Sequence, residues 1–516
     1  MAPHTGEADA ASVLVVGAGP TGLMMAAQLA RFGVHSRIVD KAEGPSVRSK
    51  ALGIQARTLE LLEYVGLAER FVQAGHKVRG LQAFSSGKEI VHLDFEQIGS
   101  RYNYVLVLPQ AETERFLGDE LTARGSHVEW QTELVGLVQE TEGVRAVLRR
   151  ENATETVRAP YAIGCDGPHS AVRNLIGMQF HGSAFPETFA LADVTMRISL
   201  PRDIIHVFLC GPKMTGLFPL ADGGWRIVVE SHEPNPRSDE PGVAEIQAAV
   251  DECGPGGVHI DAASWTSRFH ISQRQVLHYR KGCVFLAGDA AHIHSPLGGQ
   301  GMNTGIQDAC NLAWKIAVAI QGAAAPGLLD SYETERLPIG SELLRATGGL
   351  SRLVLSQTSL VDAVRDRIAP VLVGWAPIHE RILNSLSEVS VAYRNSPIVA
   401  NSGRRAPDAT VRRDNAELRL YEAMRDPRHK LVYCGVRQLP APLMGLIREH
   451  AAFVELLQAG NGFPAVYGLK NETVIAIRPD GYIGYIGAPE IEPLRGYFGR
   501  LFKTASSARA GRPTGS

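Results

Sequence analysis

The sequence predicts an α/β fold joined to an α+β portion, and three observations predict it. A short β-branched strand, Ser12-Val-Leu-Val-Val16, runs into Gly17-Ala-Gly19-Pro-Thr-Gly22 and then into a helix over Leu23–Arg31. From about Phe189 to Tyr279 the pattern becomes alternating, as in Thr195–Ile198 and Trp225–Glu230, which is the period of an antiparallel sheet. Val284-Phe-Leu-Ala287 returns to the buried-strand style before a glycine-rich loop and a long helix over Asn303–Gln321.

The elements follow in order. Ser36–Asp40 is the second strand of a βαβ unit, so the first region is Rossmann-like. Helices are expected over Thr58–Val65 and Glu112–Thr122, and strands over Ala146–Arg150 and Tyr161–Gly164. In the long helix Ile306, Cys310, Ala313, Ala317 and Ile320 line one face. Helical patterns continue to about Val391, and Asn395–Thr410 reads as a polar linker. A smaller α/β segment then reaches about Phe502, and the Ser/Gly/Arg-rich tail from Ser506 reads as disordered.

Composition narrows the function. The formal net charge is −2 over 516 residues, which opposes a nucleic-acid groove or a polybasic membrane face. Hydrophobic residues at 45% and charged residues at 21% describe an ordinary globular chain with ample core. Six scattered cysteines form no CxxC pair, so a disulfide scaffold or structural zinc is not expected and a reducing compartment is. Met1–Ala11 has no basic or apolar stretch of a signal peptide, and no run of ~20 apolar residues exists to span a membrane. A soluble, cytoplasmic protein is the expectation.

Gly17, Gly19 and Gly22 permit a tight turn and close approach to a pyrophosphate, which a helix N-terminus attracts. Asp40 closes the second strand and can accept hydrogen bonds from ribose hydroxyls. A dinucleotide site follows. A second GxGxxG after a strand is absent, and no redox cysteine pair exists, which disfavours a dithiol reductase or a two-nucleotide-domain monooxygenase.

Two further segments stand downstream: Cys165-Asp166-Gly167-Pro-His-Ser170, and Gly288-Asp289-Ala-Ala-His292 continuing through His294, Pro296, Gly298, Gly299 and Gly301 to Met302 and Asn303. With them the chain resembles the group A FAD-dependent aromatic hydroxylases, the single-component phenol and polyketide hydroxylases, over about residues 12–345. The resemblance implies bound FAD, transient NAD(P)H, and O2 chemistry through a C4a-hydroperoxyflavin on a phenolic or polycyclic, polyketide-like ring. In that family the three glycines and Asp40 hold the ADP half. Asp166 and Gly167 contact flavin and nicotinamide, and Asp289 binds the ribityl chain. Arg48, Lys50 and Gln110 then lie along the cofactor, while Arg57 serves equally well as a structural ion-pair partner. Leu52 stands where some relatives carry an acidic base, so no base is assigned.

Gly298–Asn303 opens the long helix, whose positive end can face the flavin N1–C2=O edge and favour its reduction. Phe208, Phe218, Pro219 and Trp225, with Tyr102, Tyr104 and Arg226, are candidates for the pocket that keeps water from the reaction. No metal is expected: His292 and His294 have no third ligand in view. Asp308 reads as an exposed or capping acid. Arg478-Pro-Asp-Gly-Tyr482 lies in a segment that resembles the appended thioredoxin-like domain, where Cys434 alone permits no disulfide exchange and a structural or homodimer role is implied.

The expected domains are residues 1–185 and 283–395 for the two parts of the FAD-binding unit, 186–282 for the substrate sheet, and 396–505 for the thioredoxin-like unit, with a tail at 506–516. The alternatives are a Baeyer–Villiger oxygenation on the same fold, or a protein that binds FAD without oxygen chemistry.

Overall fold

The computed structural model describes residues 11–46, 51–211, 213–231, 240–295, 298–354, 375–414 and 416–503. The predicted disordered tail, Arg48, Lys50 and Pro296 lie outside the described residues.

Val13–Val16 is buried at every position and pairs in parallel with Ser36–Val39 on one side and Tyr161–Gly164 on the other. Val284–Leu286 extends the sheet in parallel beyond Tyr161–Gly164, and Val128–Glu129 extends it beyond Ser36–Val39. Apolar runs without alternation form these strands because helices cover both faces. The helices Pro20–Arg31 and Gly301–Ile320 pack on this sheet through the main core, to which Met24, Leu29, Ile306 and Ala313 contribute.

The second sheet has eight strands, running from His292–Ile293 through His259–Val276, Phe180–Arg197, Trp225–Ser231, Lys213–Pro219 and Ile204–Cys210 to Gly80–Ser85 and Lys88–Asp94. Its last two strands come from residues that the sequence assigns to the nucleotide unit. Gly80–Ser85 pairs in parallel with Ile204–Leu209, a contact between segments more than a hundred residues apart, and such pairing leaves no local signal. The helix Val243–Glu252 covers one face, burying Ile246 and Val250 against Ala190, Ala192, Leu217, Trp225 and Ile227.

A third, mixed sheet of six strands forms the C-terminal unit, with Val454–Ala459 and Thr473–Ile477 flanking His429–Cys434. The stretch expected as a linker is pinned to it instead. Ala400 N–H donates to Gly484 O at 2.7 Å, Gly403 N–H to Ile483 O at 2.8 Å, and Ile398 and Ala406 are buried. Its polar side chains bond within the protein: Ser396 Oγ–H donates to Glu335 at 2.5 Å and Asn401 Nδ2–H to Ile486 O at 2.7 Å.

The cysteines correct one expectation. Cys210, at the end of its strand, is disulfide-bonded to Cys253 just after the helix Val243–Glu252, with 5.7 Å between Cα atoms. The pair is 43 residues apart in sequence, so spacing gave no hint of it. Cys165, Cys283, Cys310 and Cys434 are free thiols. Non-reducing peptide mapping of oxidised protein should recover the two sites joined. The oxidised form should be more stable than the reduced form by about 2–4 kcal/mol in denaturant titration, and equal midpoints would show that the bond constrains nothing.

Candidate functional site

All the strands that carry the glycine–acid signatures run in one direction, so their carboxyl ends meet at one edge. Gly17 and Gly19 follow Val13–Val16, Asp40 follows Ser36–Val39, Asp166 and Gly167 follow Tyr161–Gly164, and Gly288 and Asp289 follow Val284–Leu286. In parallel α/β sheets this edge is where ligands bind.

The glycines divide by what surrounds them. A Cβ on Gly17, which sits at φ +103°, would lie 2.7 Å from the Asp166 Cα, and one on Gly22 would strike the Gly17 carbonyl. Those two are required by packing. Gly19 differs, since a Cβ there meets nothing within 4 Å. It also stands at the N-cap of Pro20–Arg31, where no side chain caps the helix. An open, uncapped N-terminus suits a pyrophosphate. The Asp40 carboxylate accepts from Ala18 N–H at 2.7 Å and Ala42 N–H at 2.8 Å, which fixes it beside the turn.

A second uncapped N-terminus belongs to Gly301–Ile320. Gly298 and Gly299 precede it at φ +96° and +64°, the left-handed region that glycine enters readily. Two side chains brace this loop. Asn303 Nδ2–H donates to Gly53 O and Gly299 O while its Oδ1 accepts from Gln55 N–H at 2.9 Å. Gln55 Nε2–H donates to Gly298 O at 3.2 Å. Asp289 is exposed at the same edge, and Met302 lies in the first helical turn. The open Gly19 cradle, the two uncapped helix starts and the exposed Asp289 together fit an FAD.

Asp308 overturns its sequence reading. It is fully buried and accepts from Gly288 N–H at 3.0 Å, contacts His292 Nε2 at 2.7 Å and pairs with Arg336 Nε at 2.6 Å. Burial alone would push its carboxyl up, but Arg336 and His292 outweigh burial and hold it below the usual range. Sequence reasoning missed it because Asp308 lies one residue off the polar stripe of Asn303, Gln307, Asn311 and Lys315 that recurs every fourth residue on the long helix.

The other predicted residues are placed as follows. The Asp166 carboxylate turns back on its own segment, accepting from Ser170 Oγ–H at 2.5 Å and Val172 N–H at 3.1 Å, and burial raises it. Gln110 Oε1 accepts from Ala51 N–H, and Nε2–H donates to Glu114, so Gln110 anchors the strand-entry loop. His294 contacts Ser295 O through Nδ1, and burial lowers it to about 4. Arg57 is wholly buried against Glu60 at 2.8 Å and is structural.

Three of the pocket candidates, Trp225, Pro219 and Phe208, fall on the wrong side of the eight-stranded sheet. Trp225 pairs across to Pro219, and Trp225 is buried in the cluster under Val243–Glu252; Phe208 packs there too. Phe218 and Arg226 face the other way, by strand alternation. Phe218 packs on the main core. The Arg226 guanidinium is paired with Asp193 at 2.6 Å and 2.7 Å and is 1% exposed, so it is not free to meet a ligand. Tyr102 donates its hydroxyl to Glu63, and Tyr104 is half-buried under Lys77 at 5.1 Å.

An apolar groove of about 270 Å³ opens beside the braced loop. Gly298 and Gln300 form one wall, Ala346 and Thr347 another, and Ile378, Arg381, Ile382 and Leu386 a third. A wider cleft on the C-terminal unit is lined by Arg413, Arg428, Asp426 and Glu455, which pair with one another. It lies on no signature segment.

Glu388 is a site residue that the sequence did not reveal. It is buried, sits at φ +60° without being glycine, and accepts from Thr304 Oγ1–H at 3.1 Å and Gln307 Nε2–H at 2.5 Å. Burial pushes its carboxyl up to about 8. The folded state therefore holds a proton that the unfolded chain releases near its ordinary value of 4.5, and stability falls as pH rises between those values. Glu388→Gln should match the wild type near pH 4 and become the more stable of the two toward pH 8, the gap widening by at most ~1.4 kcal/mol per pH unit. Parallel stability curves for the two proteins would show that Glu388 is ionised throughout.

Residues 10–347 match the FAD binding domain family. The chain is 35% identical over 412 residues to 6-methylpretetramide 4-monooxygenase of Streptomyces rimosus, covering 77% of this chain and 72% of that one. It is 34% identical to pentachlorophenol 4-monooxygenase of Sphingobium chlorophenolicum, covering 87% and 85%. Among solved structures, the anhydrotetracycline hydroxylase from Streptomyces rimosus superposes with a TM-score of 0.80 at 31% identity, over 95% of this chain and 99% of that one. Among the described residues no helix is long and apolar enough to cross a membrane. With two uncapped helix starts and four signature strand ends at one sheet edge, and with these relatives, the chain belongs to the FAD-dependent aromatic monooxygenases.

Proposed function

We propose that this monooxygenase hydroxylates a phenolic, polycyclic polyketide-like aromatic, drawing electrons from NAD(P)H and one oxygen atom from O2. The observation that supports this most directly is the apolar groove against the braced Gly298–Gln300 loop. Bound FAD supplies the two-electron chemistry and the oxygen activation.

The chain's own residues bind, orient and exclude water. Gly17, Gly19 and Gly22 with Asp40 take the ADP half, Asp289 the ribityl chain, and the N–H groups of Met302 and Asn303 the N1–C2=O edge. Oriented N–H groups at a helix start favour negative charge there. The groove's Ile378, Ile382, Leu386 and Ala346 suit a flat ring system, and Arg381 suits an oxyanion at its rim. Two relatives bear the names of polyketide-type substrates and one of a chlorinated phenol, which supports the same substrate class. Phe218 remains a candidate for the far wall. The C-terminal sheet is read as a thioredoxin-like unit without a dithiol, in a chain that works in the cytoplasm.

Gly19→Ala tests the cofactor position. With open space around the added methyl it should leave the unfolding free energy within about 1 kcal/mol of wild type, yet loosen FAD at least tenfold in equilibrium dialysis. Retention of FAD by a folded Gly19→Ala protein would remove the pyrophosphate from this turn. The substrate class is tested by screening phenols, naphthoquinones and anthraquinones for accelerated NAD(P)H consumption, followed by incorporation of labelled oxygen from O2. Label in an aromatic C–OH is the expected result, while label in the ring oxygen of a new lactone, or consumption indifferent to every aromatic tried, would overturn the reading.

A further inference from the structure

We propose that the Arg478–Tyr482 turn of the C-terminal unit is a positioning element for the flavin, acting through the two helices that brace the Gly298–Asn303 loop. This inference rests on the cofactor position proposed above.

The turn lies deep between the units. Arg478 is fully buried and forks onto Glu335, with Nη1 to Oε1 at 2.6 Å and Nη2 to Oε2 at 2.8 Å, and Nη2 also reaches Asp480 at 2.5 Å. Glu335 in turn receives Lys315 Nζ–H and Asn311 Nδ2–H, each at 2.7 Å. The Asp480 carboxylate accepts from Asn311 Nδ2–H and Trp314 Nε1–H at 3.2 Å. Asn311, Trp314 and Lys315 all belong to Gly301–Ile320, the helix whose first turns carry Met302 and Asn303. The turn therefore grips that helix two to three turns below the end that faces the flavin.

It grips a second helix as well. The Asp480 carbonyl accepts from Arg57 Nη2–H at 2.6 Å, and the Arg57 guanidinium lies 4.9 Å from the Tyr482 ring centroid. Gly481, at φ +77°, allows this approach, since a Cβ there would sit 3.0 Å from Arg57 Nη2. Arg57 is in the first turn of Ala56–Tyr64, two residues after the N-cap Gln55, whose side chain holds Gly298 O and whose backbone N–H holds Asn303. The same short turn thus fixes both ends of the Gln55–Asn303 brace.

The chemistry favours a rigid link. A buried arginine forked on one carboxylate and facing a second has no nearby arrangement of equal energy, because any slip leaves a charge unmet out of reach of water. Asp480, held by that arginine, bonds Asn311 and Trp314 on one helix through its carboxylate and Arg57 on the other through its carbonyl, so the two helices cannot shift relative to each other without breaking these bonds, and the loop geometry is fixed by contacts remote from the cofactor. A purely structural turn would contribute to unfolding stability and leave the flavin untouched.

The experiment compares full-length holoenzymes: Arg478→Lys, the milder Asp480→Asn, Asn303→Ala, and Leu446→Ala on the helix Ala441–Glu449, which empties part of the core that Trp314 shares with the C-terminal unit but breaks none of the turn's hydrogen bonds. Each is measured for its thermal midpoint and, well below that midpoint, for its FAD dissociation constant and the shape of the flavin visible band. Arg478→Lys and Asp480→Asn should each loosen FAD by about tenfold and shift the band, while Leu446→Ala lowers the midpoint and leaves both unchanged. The proposal is overturned if Arg478→Lys and Asp480→Asn keep wild-type FAD affinity, or if all three C-terminal variants lose FAD only in proportion to their midpoints. Asn303→Ala separates the two readings. If it holds FAD like the wild type, the cofactor position itself is wrong; if it loses FAD while the Arg478 and Asp480 variants do not, the turn alone is discounted. Should Arg478→Lys not fold, Asp480→Asn decides.

Discussion

A carboxylate sealed from water has to be met by its neighbours, and Asp308 is met from three elements at once. It holds the Gly288 N–H at the start of the loop after Val284–Leu286, the His292 ring at the far end of that loop, and Arg336 on the next helix. Arg336 must itself be satisfied, and its remaining N–H groups donate to Thr304 O and Tyr393 Oη. One buried ion pair therefore ties the Gly288–Asp289 segment, the first turns of the long helix and the segment around Tyr393 into a single network. Removing one partner from such a pair leaves an uncompensated charge, at roughly 3–5 kcal/mol. The signature loop is rigid for that reason, and Asp289 can remain exposed at its tip without help from a ligand.

The glycines impose a second constraint. Thr21 sits where the first helix, the Gly288 turn and the long helix converge. A Cβ on Gly288 would lie 2.6 Å from the Thr21 hydroxyl oxygen, and one on Gly305 would lie 3.2 Å from the Gly288 Cα. Residues 17 and 22 are therefore glycine because backbones touch there, and residues 288 and 305 because the Thr21 side chain does, whereas residue 19 is glycine where nothing in the protein touches it. A one-line motif merges these two demands, and only the packing separates them.

That contrast marks what could be read in advance. The βαβ unit, the long helix and the signature segments were legible because each rests on short-range periodicity and turn chemistry, and their ends fall within a few residues of the expected ones. Asp308 was legible only through the apolar residues on every side of it in the long helix; an acid inside a helix that is buried all round needs a partner, not a solvent face. The rest depends on distant pairings. Gly80–Ser85 joins the second sheet through a strand more than a hundred residues away, Cys253 finds Cys210 by way of a helix, and Glu388 acquires its environment from Thr304 and Gln307. Trp225 and Pro219 were chosen for their aromatic or rigid character, but the sheet's alternation decides the face, and its register is set by the strands on either side.

The placement of charge around the braced loop adds a last step. Two titratable groups lie close under it, and burial keeps both uncharged near neutral pH: Glu388 is raised to about 8 and His294 lowered to about 4. The buried charges behind the helix start, Asp308 and Arg336, face each other and largely cancel at a distance, while Arg381 stands on the exposed groove wall. What remains at the start of Gly301–Ile320 is the field of its own uncapped N–H groups. A field made of backbone dipoles does not titrate and needs no reorganisation when negative charge develops in front of it. An ionised Glu388 would oppose that field from below, and a protonated His294 would reinforce it only in acid. By keeping both neutral near pH 7, the fold leaves the electrostatics of the cofactor edge to these backbone dipoles, and Glu388 brings in an opposing charge only as the pH rises toward about 8.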